Sequence, residues 1–106
     1  MLKVTYHVSG TLMPDERVES WIQNKITAYN KLPAGEHLCV TVANELSIYA
    51  IRVLVREGKI PSDQVEIYYT NKANVLCMAL LNNDGRFMGD YGPESAFDNF
   101  LGRLLF

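Results

Sequence analysis

The chain has 106 residues, 48% of them apolar and 21% charged, with a formal net charge of -2. That length suits one domain and leaves no room for two independent cores, and the composition lies far from that of disordered chains. The near balance of charge leaves no electrostatic footprint for a nucleic-acid backbone or an anionic membrane, and no stretch approaches the roughly 20 apolar residues of a membrane-spanning helix.

Leu2, Val4, Tyr6 and Val8 alternate with Lys3, Thr5 and His7, which predicts a strand over residues 2–8 with one buried face. This alternation also lacks the unbroken apolar run of a signal peptide. Gly10 breaks the strand. Pro14 suits a first helical position, Asp15 and Glu16 complement the helix dipole, and Val18, Trp21, Ile22, Ile26 and Tyr29 follow at three- and four-residue spacings. Pro33-Ala34-Gly35 ends this helix.

Leu38 to Val42 is a short apolar run, expected as a central strand buried on both faces and parallel to its neighbours. Asn44 is placed to cap a second helix, which carries Leu46, Ile48, Tyr49, Ala50, Ile51, Val53, Leu54 and Val55 and is apolar over most of its circumference. Gly58 and Pro61 stop it. Strands are expected at Val65–Thr70 and Val75–Leu81, joined by a short antiparallel hairpin loop and followed by the Asn82-Asn83-Asp84-Gly85 turn. Pro93 and Glu94 then open a last helix with Ala96, Phe97, Phe100, Leu101, Leu104 and Leu105 on its apolar face.

The expected fold class is therefore α/β, in the order β-α-β-α-β-β-α, forming one domain over residues 1–106. Its sheet is mixed and mostly parallel, with helices on its faces and a C-terminal hairpin plus helix. Met1 and a helix ending at Phe106 read as natural boundaries, and the cytoplasm is the expected location.

Cys39 and Cys77 lie in LCVTV and VLCMALL, where a cysteine is expected to be a small buried hydrophobe with a reduced thiol. There is no Cys-x-x-Cys, so no redox role is expected. His7 and His37 have no acid or cysteine at a ligand spacing, no triad is signalled around Ser47 or Ser95, and neither a metal nor any other cofactor is expected.

Several stretches nevertheless share a likeness. HLCVTVANELSIYAIRVLVREGKIPSDQVEIYY, residues 37–69, resembles the segment after the nucleotide-hydrolysis strand in overcoming-lysogenization-type and related AAA/ABC-like ATPases of bacterial defence and repair. NNDGRFMGDYGPESAFD, residues 82–98, is similar to the turn and helix start that close those ATPases, and TLMPDERVESWIQNKI, beginning at Thr11, resembles the helix after their Walker B strand. The resemblance implies the C-terminal half of an ATPase core over almost the whole chain.

It also implies which parts are lost. Where such ATPases carry Mg²⁺-binding acids, this chain has Tyr6 and His7. Where their switch carries a phosphate-sensing histidine, it reads Val42, Ala43, Asn44, Glu45. No Gly-x-x-x-x-Gly-Lys-Ser/Thr loop occurs anywhere. Phosphoryl transfer depends on positioned phosphates and metal for nearly all of its rate, so no ATP hydrolysis, and no enzyme activity, is expected of the chain.

Two functional readings remain. The first is a non-catalytic interaction domain that self-associates or docks on a related full-length ATPase, as accessory subunit, regulator or decoy. Its candidate interface residues are Arg52 and Arg56 on the second helix and Phe97, Phe100 and Leu104 on the last. The second is a small-ligand binder or enzyme using His7, Ser9, Thr11, Asn44 and Glu45, which parallel strands would gather at their C-terminal ends, where open α/β sheets hold ligands. The bland alternative gives Asn44 and Glu45 to helix capping and His7 to a solvated strand face. A nucleic-acid-binding subunit is disfavoured by the charge.

Overall fold

The structure is a computed structural model that describes residues 1–70 and 73–88. Along the chain these form β1 (Leu2–Thr11), α1 (Asp15–Asn30), β2 (Leu38–Val42), α2 (Glu45–Arg56), a single 3-10 turn (Ser62–Gln64), β3 (Val65–Thr70) and β4 (Leu76–Leu80). The fold is the mixed α/β arrangement that the pattern predicts. The sheet order is β2-β1-β3-β4, with β1 parallel to both of its neighbours and β4 antiparallel to β3. The expected last helix, with Phe97, Phe100 and Leu104, lies outside the described residues, as do Asn71 and Lys72 of the β3–β4 loop.

Strand alternation divides the sheet into two unlike faces. Leu2, Val4, Val42, Val65, Ile67 and Ala79 point to one side, where Val18, Ile22 and Ile26 of α1 and Ile48, Ile51 and Leu54 of α2 close a single core over them. Each fully buried aliphatic side chain contributes about 1.5–3 kcal/mol, and this layer supplies most of the driving force for folding. Both described helices lie on that side and pack against each other. The β1–β2 connection moves one way across the sheet and the β2–β3 connection moves back over β1. With both helices on one face the two crossovers have opposite hands, so one is the uncommon left-handed kind.

Among the described residues the other face is uncovered. Lys3, Thr5, Cys39, Thr41, Glu66 and Tyr68 alternate onto it, joined on β4 by Leu76 and Met78, which are 63% and 50% exposed. This corrects two expectations. Among the described residues β2 is an edge strand exposed on one side, and Cys39 is exposed while Cys77 is only half-buried. The physical reason is that LCVTV is an alternating pattern with a cysteine in an outward position, and cysteine is apolar enough to make the run look continuous.

The helix ends follow local chemistry. Pro14 stands just before α1, with Asp15 and Glu16 in the first turn. α2 ends in a wrap-back in which the Glu57 N–H donates to the Val53 carbonyl and the Lys59 N–H to the Leu54 carbonyl, each at 2.9 Å, around a left-handed Gly58. The chain then buries Ile60 before entering β3.

Candidate functional site

Parallel pairing brings the carboxyl ends of β1 and β2 together, as the strand-end reading requires. Leu2 to Tyr6 stand beside Leu38 to Val42 in unbroken register, and then Thr11 pairs with the same Val42. Residues 7–10 therefore loop out of the ladder. Gly10 allows the return: a Cβ there would sit 2.7 Å from backbone atoms of Thr41 and Val42, closer than carbon atoms pack. The Ala43 N–H then donates to the Thr11 carbonyl at 2.9 Å, fastening the returning segment to the start of α2.

Within this frame the five predicted residues divide. His7 and Ser9 are on the looped-out segment and meet each other, His7 Nδ1 lying 2.7 Å from Ser9 Oγ and 3.1 Å from the Ser9 backbone N–H. Both are exposed, and Val8 between them is 88% exposed. Asn44 occupies the N-cap position of α2, yet its side chain makes no cap hydrogen bond. Its Nδ2 donates instead to the Met13 carbonyl at 2.8 Å, and its Oδ1 accepts from the Met13 N–H at 3.0 Å. The capping expectation is thus corrected: this amide tethers the β1–α1 connection to α2 because Met13 offers a donor and an acceptor at matching spacing, which uses both ends of the amide.

Thr11 contributes its carbonyl to the same tether, and Glu45 is exposed in the first turn of α2. Burial, and secondarily the Glu45 carboxylate, raises the Tyr6 phenol above its ordinary value, so the ring at the strand end stays neutral. Asp15 and Glu16 stand in the first turn of α1 and Glu45 in that of α2. Both helix N-termini, where a phosphate would be drawn, already face carboxylates. The cluster is a structural knot with a polar loop beside it, and its electrostatics suit no anion. Among the described residues no three of His, Cys, Asp and Glu group as metal ligands, and no helix is long and apolar enough to cross a membrane.

The second helix offers a different surface. Arg52 is held in place: its Nε donates to the Gly85 carbonyl at 2.8 Å, and its guanidinium lies 4.9 Å from the Phe87 ring centre and 5.6 Å from that of Tyr49. It anchors the 82–88 turn to α2. Arg56 is exposed beside that turn, lining a shallow depression with Tyr49, Val53, Asp84 and Arg86. On the other flank, α1 and α2 border a groove of about 270 Å³ lined by Val18, Leu46, Tyr49, Ala50 and Val53, with Asp15 and Glu19 at its rim. Leu46 and Val53 remain 43% and 49% exposed.

Sequence reasoning singled out Arg52 and Arg56 but missed this stripe. The signal was present, since α2 carries more apolar positions than a helix with one buried face requires. Comparison of the chain with protein-family models, with curated proteins and with solved structures finds no match.

Proposed function

We propose that the chain is a non-catalytic protein-interaction domain, acting as an accessory subunit, regulator or decoy through self-association or docking on a related ATPase. The observation that carries this reading is the gathering of exposed large apolar side chains in two places: Leu76, Met78, Leu80 and Met88 along β4 and the turn after it, and Leu46 and Val53 along α2. Contiguous apolar surface of this kind marks interfaces in small domains. The strand ends supply the complementary support, because Asn44 is consumed by the backbone of Met13 and the helix N-termini already face acids.

The resemblance of residues 37–69 to the ATPases named above supplies the candidate class of partner. No observation favours the small-ligand reading: His7 and Ser9 satisfy each other on an exposed loop. Light scattering on the purified chain, combined with co-purification against a candidate ATPase, tests the proposal. An oligomer or a stoichiometric complex supports it. A strict monomer at all accessible concentrations, with no complex, sinks it.

A further inference from the structure

The uncovered face of the sheet is polar on one half and apolar on the other. Cys39, Lys3, Glu66 and Leu80 form one row across the four strands, and Thr41, Thr5, Tyr68 and Met78 form the next. Toward β2 the rows hold thiol, hydroxyl and charged groups, with Lys3 and Glu66 4.0 Å apart. Toward β4 they hold Tyr68, Met78 and Leu80, with Leu76 at the start of the strand. Those three β4 side chains are exposed, while Ala79 among them faces the core. The apolar half is two strands wide, about 10 Å, which is the width of one helix.

The chain leaves the described residues beside this half. Leu81 and Phe87 form an antiparallel bridge and the Met88 N–H donates to the Leu80 carbonyl at 2.8 Å, so at Met88 the backbone has turned back along the outer edge of β4. Residues 89–106 lie beyond. Their sequence carries Pro93 and Glu94 as a helix start, then Ala96, Phe97, Phe100, Leu101, Leu104 and Leu105 at three- and four-residue spacings. α1 and α2 already close the core on the other side of the sheet.

We infer that the occupant of the open face is the chain's own C-terminal segment: residues 93–106 form an amphipathic helix that lays Phe97, Phe100, Leu101 and Leu104 over Tyr68, Leu76, Met78 and Leu80. Continued in the register of Leu80 and Met88, residues 89–92 bring Pro93 level with Leu76. A helix starting there returns along β4 for about 20 Å, against about 17 Å for the five residues of the strand. A segment held by so short a link meets the face at an effective concentration of about millimolar or more, which favours it over a second copy. The inference goes beyond the interaction reading and sharpens it: with β4 covered in cis, the partner is left the α2 surface that bears Leu46 and Val53.

Thiol accessibility in the intact chain tests it. In a Cys39→Ser/Cys77→Ser background, Met78→Cys puts a probe in the middle of the apolar half and Val8→Cys puts one on the exposed loop after Tyr6. Each is reacted with an aromatic disulfide and normalised to its rate in the urea-unfolded chain, and circular dichroism shows that the fold is kept. The Met78→Cys thiol is expected to react about tenfold or more slowly than the Val8→Cys thiol, at every chain concentration, because a covered thiol waits for local opening. Phe97→Asp/Phe100→Asp is expected to bring the two rates within about twofold, since carboxylates cannot enter the dry contact. Equal rates with the segment unaltered overturn the inference, and this comparison decides even where the two aspartates unfold the chain. Slow labelling that persists in a folded Phe97→Asp/Phe100→Asp chain overturns it too. Protection that is lost on dilution assigns the face to a second copy, which overturns the cis contact and leaves the interaction reading standing. That reading fails separately, on a strict monomer that forms no complex, whatever the labelling rates.

Discussion

Asn44 illustrates how one side chain takes a role its position does not announce. Its residue type and place before α2 suit a cap, but a primary amide offers a donor and an acceptor together, and the Met13 backbone presents the matching pair. The two bonds fix where β1 hands over to α1. Asn44→Ala is expected to lower stability by about 1–3 kcal/mol, since both Met13 backbone groups lose part-buried partners. Asn44→Asp keeps the acceptor and is expected to cost less. Denaturant midpoints measure both, and an Asn44→Ala chain within about 0.5 kcal/mol of the parent defeats the tether account.

At the scale of elements, the turn at residues 82–88 shows how an irregular segment is fixed by the helix beneath it. The Asn82 Oδ1 accepts from the backbone N–H groups of Asp84 and Arg86, and Arg52 reaches from α2 to the Gly85 carbonyl. Gly85 has a left-handed φ of 76°, and a Cβ there would run into the Arg52 carbonyl oxygen. Gly58 has nearly the same φ, 77°, with nothing within 4 Å of its would-be Cβ. Gly58→Ala is therefore expected to cost about 1–2 kcal/mol for conformation alone, and Gly85→Ala clearly more. Thermal melts of the two variants make the comparison, and equal losses dispose of the claim that the turn sits tightly on α2.

These elements also show what the sequence made legible. Alternation in β1 and β3 and the three- and four-residue spacing in α1 fix element type because one face of each is buried and the other wet. β2 and β4 misled, since a cysteine, a methionine and leucines occupy outward positions and erase the alternation. The strand-end cluster was legible as a place, through the parallel neighbours β1 and β2. It was not legible as chemistry, because hydrogen bonds from Asn44 to a residue 31 positions away leave no trace in local pattern.

For the whole molecule, the net charge of -2 is small enough that two copies approach with little overall repulsion. The two places where large apolar side chains stand exposed, Leu46 and Val53 on α2 and Leu76, Met78, Leu80 and Met88 along β4 and the turn after it, hold no charge to screen, and burial of apolar area persists in salt. Raising the salt from about 0.05 M to about 0.5 M shortens the reach of surface charges but is expected to weaken self-association by no more than a few-fold, read by light scattering at matched concentrations. Association that vanishes at the higher salt would assign the contact to charge and remove both apolar surfaces from it.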